Sequence, residues 1–247
     1  MVSLYIVITF ICALGFAFIH FSSKYMQFAN KVPRSRFLSL SAGVAVSYVF
    51  VHLLPQLNTY QQVVVKNLQQ SSWRHIENHI YIIALAGLVL FYAMERLVKI
   101  SRKSKVLKNP EQADSVIFWI HMGSFFIYNT VIGYLLVREE YKSPLGIFFY
   151  FLALGVHFIT NDWSLRRDHK GAYDKYGRII LTAAPVLGWL IGILTELNEF
   201  VLSILQAFIA GGVILNVMKE ELPEEQKSSL SSFLAGVIGY TVLLLLI

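Results

Sequence analysis

Residues 115–137 read SVIFWIHMGSFFIYNTVIGYLLV, an apolar stretch without a single Asp, Glu, Lys or Arg. A helix that crosses the hydrocarbon core of a bilayer needs about 20 mostly apolar residues. The length and composition of this stretch therefore predict a transmembrane helix. A transmembrane barrel strand has only about ten residues and alternates in polarity, which this stretch does not.

Seven further apolar runs of similar length flank this stretch along the chain. The eight predicted helices cover residues 4–21, 37–54, 79–98, 115–137, 144–163, 179–196, 200–218 and 230–247. Only 15% of the residues are charged, against about 25% in a soluble domain, and the mean hydropathy is +0.58. The chain is therefore predicted to be all-α, a polytopic membrane protein whose single transmembrane domain extends over residues 1–247.

The Lys and Arg residues are divided unevenly between the connectors of these helices. Seventeen of the 21 lie after the first, third, fifth and seventh runs, helix ends included. Because cytoplasmic loops carry an excess of Lys and Arg, both termini are predicted to lie outside, and the predicted location is the cell membrane. The first run has no basic segment before it and is interpreted as a helix, not as a signal peptide.

Charge, cysteine content and motifs exclude several other classes. The net charge of +6 suits anionic cytoplasmic lipid, and no basic stripe is interleaved with aromatic residues, so nucleic acid is not a predicted partner. Cys12 is the only cysteine, which excludes a disulfide scaffold. The sequence lacks the motifs of zinc proteases, serine hydrolases and phosphate-binding loops, so the chain is not predicted to be an enzyme.

Two segments of the chain resemble each other at a constant offset. Residues 41–56 read SAGVAVSYVFVHLLPQ and residues 209–224 read IAGGVILNVMKEELPE. Their Ala-Gly and Leu-Pro pairs coincide, and the two segments are predicted to cross the membrane in opposite directions. The match indicates an inverted repeat, which in transporters places the functional site between the two halves. The alternative is that two common dipeptides recur by chance.

Two histidines lie deep within the predicted helices. His121 is six residues from the cytoplasmic start of its run, and His157 is six residues from the cytoplasmic end of the next, which is about 9 Å in each case. Because the two runs are predicted to be antiparallel neighbours, the imidazoles are expected at similar depth. Asn161 follows His157 by one helical turn, and Asp162 is adjacent.

These side chains are candidates for a metal site. Neutral imidazole is a common ligand of zinc, iron, copper and nickel. The predicted metal ligands are therefore His121 and His157, assisted by Asn161 or Asp162, and no cofactor is predicted other than a transported or bound divalent metal. The alternative is that each histidine satisfies a buried polar group of the core.

These residues resemble the ZIP (Zrt-, Irt-like protein) family of divalent-metal transporters. Residues 41–55 are similar to the family's second helix, residues 210–223 to its seventh, Glu95-Arg-Leu to the end of its third, and Tyr176-Gly-Arg with Gly188-Trp to bacterial members. The resemblance covers nearly the whole chain. It implies eight helices with both ends outside, an inverted repeat and transport of a divalent metal.

The metal-binding motifs of the family are incomplete in this sequence. The fourth helix of the family carries His-Asn-x-x-Glu-Gly, whereas here Met122 and Phe125 stand in place of the Asn and the Glu. In the fifth helix, Phe158 replaces the acidic residue after the histidine, and Asn161 stands where a Glu or His is usual. Two imidazoles and an amide offer little charge to offset the dehydration of a dication.

The predicted function is ZIP-like transport of a divalent transition metal such as zinc, along a path between the fourth and fifth helices. The alternative is a non-transporting, ZIP-derived scaffold, sensor or partner-binding protein, because Phe125 and Phe158 would block this path. The predicted partners are membrane lipid, the metal ion, and either a second copy of the chain or another membrane protein.

Overall fold

The computed structural model describes residues 2–25, 34–69, 72, 78–103, 110–138, 144–218 and 229–246. Almost all of these residues are helical, and no strand occurs among them. A helix satisfies every backbone polar group within one segment, which a chain surrounded by lipid requires. The predicted all-α class is confirmed.

The described part of the chain contains nine α-helices. They are α1 (Val2–Ser22), α2 (Arg34–Ser47), α3 (Leu54–Leu68), α4 (His79–Lys103), α5 (Pro110–Arg138), α6 (Pro144–Ala172), α7 (Arg178–Leu194), α8 (Glu199–Asn216) and α9 (Leu230–Leu245). A short 3₁₀ turn, Ser23–Tyr25, follows α1. A π turn at Tyr48–Leu53 joins α2 to α3, and a second at Tyr173–Gly177 joins α6 to α7.

Six helical stretches among the described residues are long and apolar enough to cross a membrane, as expected of a multi-pass membrane protein. One of them, Pro144–Leu194, contains the fifth predicted run and all but the last two residues of the sixth. Its backbone departs from helical geometry at Lys170 (φ 13°, ψ −91°). The eighth run forms the shorter apolar helix α9. The number of eight separate spans therefore stays a prediction.

Residues 55–78 connect the second and third predicted runs, and the structure shows that helix continues into this connector as far as Leu68. It continues as α3 because Leu57, Gln61 and Val64 recur on one buried face. The side-chain oxygen of Gln61 also accepts a hydrogen bond from the N–H of Ile80, at 2.9 Å. This bond satisfies one of the free N–H groups at the start of α4.

The basic connector predicted after the fifth run is also helical. Here α6 continues to Ala172, and Arg166 holds the following turn by donating to both carboxylate oxygens of Asp174, at 2.7 and 3.0 Å. Likewise, α4 continues to Lys103 and α5 begins at Pro110. The predicted apolar runs end at the first charged residues, whereas the helices continue past these residues.

The contacts between α1 and α6 show that these helices are parallel. Phe151 packs at the position of Gly15, and Asp162, three turns further along α6, bonds to His20 further along α1. Residue numbers therefore rise in the same direction along both helices.

The contacts between α1 and α7 have the opposite order. Arg178, at the start of α7, donates to the carbonyl oxygen of Phe21 at the end of α1, at 3.0 Å. Trp189, near the end of α7, donates to Thr9 near the start of α1, at 3.1 Å. Since α6 is parallel to α1 and α7 is antiparallel to it, the chain reverses direction between α6 and α7.

Helices α2 and α9 touch through their backbones at Gly43 and Gly236. A Cβ added at Gly43 would overlap the carbonyl oxygen of Phe233, and one added at Gly236 would overlap that of Leu40. Each glycine thus faces the carbonyl three residues before the other glycine. Small residues permit such close approach between membrane helices.

The same crossing recurs at two other helix pairs. Gly87 of α4 meets Gly211 of α8, and Gly133 of α5 meets Gly188 of α7. In both pairs, an added Cβ would again overlap the carbonyl oxygen three residues before the opposing glycine. The last six residues of the repeated segment, 219–224, lie outside the described residues.

The most extensive contacts between helices fall within two groups. One group contains α1, α5, α6 and α7, and the other contains α2, α3, α4, α8 and α9. The groups meet where α2 contacts α6, where α4 contacts α5 and, less extensively, where α5 contacts α8. At the second of these junctions, the rings of Phe91 and Phe125 pack edge to face with their centroids 5.9 Å apart.

Candidate metal site

The predicted site residues lie on α5 and α6, which pack antiparallel to each other. Nδ1 of His121 is 3.0 Å from Nε2 of His169, and the hydroxyl of Tyr128 is 3.1 Å from Nε2 of His157. Because the residue numbers rise along α5 while they fall along α6, the two helices run in opposite directions, as predicted.

His121 and His169 form a close pair of imidazoles. His121 is buried, and its ring packs edge to face against Phe125 with the centroids 5.1 Å apart. The ring of His169 packs in the same manner on Phe118, at 5.3 Å. The surroundings of the two imidazoles are therefore largely aromatic.

His157 lies at a different level of the bundle from His121. Its partner Tyr128 is seven residues beyond His121 on α5, which is about 10 Å along the helix axis. The expected matched depth is therefore not observed, because α5 begins at residue 110 and α6 ends at residue 172, well beyond the apolar runs. Asn161 lies one turn beyond His157 and is also buried.

Asp162 bonds to α1 rather than to α5. Both of its carboxylate oxygens are 2.9 Å from Nδ1 of His20. The imidazole of His20 also lies against the ring of Phe158, with the centroids 4.7 Å apart. Three of the four predicted ligands thus have different partners: His121 contacts His169, His157 contacts Tyr128, and Asp162 contacts His20.

Phe125 and Phe158 occupy the positions where the ZIP resemblance implies carboxylates. Phe125 is 1% exposed and packs edge to face on Tyr128, and Phe158 is 0% exposed and packs edge to face on Phe16. Both rings belong to the packed core. A carboxylate at either position would displace well-packed aromatic contacts.

The donor set is small. No group of three or more His, Cys, Asp or Glu side chains that could hold a metal ion occurs in the part of the chain that the structure describes. The pair His121 and His169 supplies two imidazole nitrogens at 3.0 Å. Two nitrogens bound to one tetrahedral zinc ion, at about 2.0–2.1 Å each, lie roughly 3.3–3.4 Å apart. The 3.0 Å separation is that of a hydrogen bond between the two rings, so the rings must move apart by about 0.3–0.4 Å to share one ion.

Two residues of this region were not predicted from the sequence. His169 follows the charged residues Arg166 and Arg167, in a segment interpreted as a loop. It nevertheless continues the face of α6 defined by the buried residues Asp162 and Leu165, and this helical spacing is the signal that identifies it. His20 lies near the end of the first predicted run, where no local pattern distinguishes burial from exposure.

Comparisons with protein-family models, with curated proteins and with solved structures give no match to this chain.

Proposed function

We propose that the chain is a ZIP-like transporter of a divalent transition metal such as zinc, and that His121 and His169 contact the ion together. The proposal depends on one observation, the 3.0 Å separation of two imidazole nitrogens between α5 and α6. Imidazole donors suit zinc and its neighbours in the first transition row better than they suit magnesium or calcium. The ion is the substrate of this protein.

The proposed architecture has eight spans, with both ends outside, and the packing of the glycines supports it. An inverted repeat that exchanges the second run with the seventh also exchanges the third with the eighth. This operation converts the crossing of Gly43 with Gly236 into the crossing of Gly211 with Gly87, which has the same geometry. Gly43 and Gly211 are also equivalent in the repeated sequence.

The reversal of the chain between α6 and α7 supports a separate fifth and sixth span.

Transporters built from such repeats alternate access by moving one group of helices against the other. In this chain, the candidates for these two bodies are the two groups of helices that make most of their contacts internally.

The donor set indicates that the ion is held loosely. Two neutral imidazoles offset little of the cost of dehydrating a dication. A transport site must release its ion as well as bind it, so a weak site for a single ion is compatible with transport. Buried Phe125 leaves no carboxylate to bridge a second ion.

The test combines metal content with transport. The chain is equilibrated with zinc in lipid nanodiscs for elemental analysis and is reconstituted in proteoliposomes that contain a fluorescent zinc indicator. The wild type should bind one zinc per chain and admit zinc. His121→Ala and His169→Ala should each weaken binding and uptake about tenfold or more, because each removes a metal-contacting group.

His52→Ala is the matched control, because His52 stacks on Tyr48 in the first π turn, away from the His121–His169 pair. It should retain the zinc content and uptake of the wild type. Unchanged binding in both His121→Ala and His169→Ala, or a folded wild type that binds no first-row divalent metal, would contradict the proposal.

One observation favours a second candidate function, that of a non-transporting membrane scaffold or partner-binding protein. Phe125 and Phe158 are fully packed where a metal path needs space. If the wild type is folded, binds no metal and admits none, and if Phe125→Ala restores no uptake, this second function is the better description.

A further inference from the structure

Two polar pairs lie at successive levels between α5 and α6. One is His121 with His169, and the other is Tyr128 with His157, about 10 Å further along the helix axis. The ring of Phe125 lies between the two levels. It packs edge to face on His121, with the centroids 5.1 Å apart, and on Tyr128, at 6.1 Å. An ion that moves along α5 from one pair to the other must therefore pass Phe125.

The ring of Phe125 closes this passage in the structure. Its side chain is 1% exposed. An apolar constriction stops ions because it holds no water to replace their hydration. An ion therefore passes only when the ring of Phe125 turns aside.

Phe91 of α4 confines the ring of Phe125 from the other group of helices. It packs edge to face on Phe125, with the centroids 5.9 Å apart, and on Tyr128, at 5.4 Å. Both distances lie in the range of favourable aromatic pairs. The ring of Phe125 cannot turn towards α4 while Phe91 occupies this position.

The ring of Phe91 is in turn held by its own group. A Cβ added at Gly212 of α8 would lie 2.9 Å from two carbon atoms of this ring, so the ring already fills the space beside the glycine. The ring of Phe208, also on α8, lies 6.4 Å from it. Because α4 and α8 belong to the same group, Phe91 withdraws from Phe125 only when that group moves.

We infer that Phe91 is a positioning residue of the transport path, and that it holds Phe125 across the path until the two groups of helices move against each other. The inference rests on the proposed transport. In this arrangement, the opening at Phe125 occurs together with the movement of the groups, as alternating access requires.

The concentration dependence of zinc uptake tests the inference. Uptake by the wild type in proteoliposomes should saturate, because a conformational step limits the turnover of a carrier. In Phe91→Ala, the ring of Phe125 can turn without that step, so uptake should rise in proportion to the zinc concentration. At about ten times the wild-type half-saturation concentration, uptake by Phe91→Ala should exceed that of the wild type by about tenfold.

Two further variants complete the experiment. Phe91→Val also removes the ring but leaves a smaller gap, so it is measured in parallel and replaces Phe91→Ala if that variant does not fold. The matched control is Phe10→Ala, because Phe10 of α1 packs on Trp189 of α7, with the centroids 4.8 Å apart, within one group. Phe10→Ala should keep the saturable uptake of the wild type.

The outcomes separate this inference from the proposed function. If folded Phe91→Ala or folded Phe91→Val saturates at the same zinc concentration as the wild type, the inference is overturned and the proposed transport is not. A wild type that admits no zinc overturns both. Proportional uptake in Phe10→Ala would also overturn the inference, because the loss of any packed ring would then have the same effect.

Discussion

The imidazole of His20 in α1 is bonded through Nδ1 to both carboxylate oxygens of Asp162 in α6, each at 2.9 Å, and both side chains are 1% exposed. Carboxylate oxygens accept hydrogen bonds, and Nδ1 of His20 is the donor in this contact. The contact ties α1 to α6 in the interior of the bundle.

This buried pair predicts an asymmetric effect of removing its two members. His20→Leu removes the imidazole donor of a buried carboxylate to which the side chain of Tyr173 also bonds, so it should lower the free energy of unfolding by about 3–5 kcal/mol. Asp162→Leu leaves these donors without their acceptor, so it should cost about 1–3 kcal/mol. The double variant should be more stable than His20→Leu alone. Denaturant titration of the purified chain in mixed micelles measures all three.

The control for this cycle is the ion pair of partly buried Arg138 and exposed Glu196, whose charged atoms are 3.8 Å apart. Glu196→Gln should change the free energy of unfolding by less than about 1 kcal/mol, because exposed pairs contribute little. If the double variant is as unstable as His20→Leu, the carboxylate of Asp162 is not the cause of the lost stability.

The glycine crossings predict where a single methyl group is not tolerated. Gly188→Ala places a Cβ against the carbonyl oxygen of Thr130, so α5 and α7 must separate, which should cost about 1–3 kcal/mol. The matched control is Gly239→Ala, because an added Cβ meets no atom within 4 Å at Gly239. Thermal unfolding of the two variants, followed by size-exclusion chromatography, compares them. Equal stability would mean that the backbones are not in contact.

The distribution of basic residues predicts which exposed positions face the cytoplasm. In a Cys12→Ser background, a cysteine at Lys175 should react with an impermeant maleimide only after the membrane is opened. Cysteines at Asn67 and Glu196 should react in intact cells. Lys175, Asn67 and Glu196 are all exposed in the structure. Reaction at position 175 in intact cells would contradict the proposed eight spans.

Metal binding by the His121–His169 pair predicts a pH dependence with a definite sign. Only a neutral imidazole ligates a metal, so zinc affinity should fall as the pH is lowered from about 8 to about 5, the range in which histidine gains its proton. Isothermal titration calorimetry in buffers of different ionisation enthalpy should detect protons released on binding at the acid end. Zinc affinity that is constant across this range would exclude both histidines as ligands.

Some of this structure follows from local sequence and some does not. The run 115–137 lies within α5 because hydropathy over about 20 residues decides whether a segment enters the bilayer. Hydropathy does not mark where a helix ends in water. For this reason it assigns α3, with its buried residues Leu57 and Val64, and the charged end of α6 to the connectors.

The candidate site depends on relationships that no local pattern contains. The depth of His121 relative to His157 depends on the register between α5 and α6, which contacts such as that of Tyr128 with His157 determine. The partner of Asp162 depends on which helix packs beside α6. The sequence pattern predicts that such groups are buried, but only the assembled bundle determines which of them meet.

The π turn between α2 and α3 contains the residues that determine how α3 is rotated about its own axis. Each residue advances a helix by about 100°, so a chain one residue shorter in Tyr48–Leu53 would present a different side of α3 to its neighbours. The side chain of Gln61 would then turn away from the N–H of Ile80 that it now satisfies. A deletion of one residue at this position is thus equivalent to uncapping α4, more than 20 residues away in the chain.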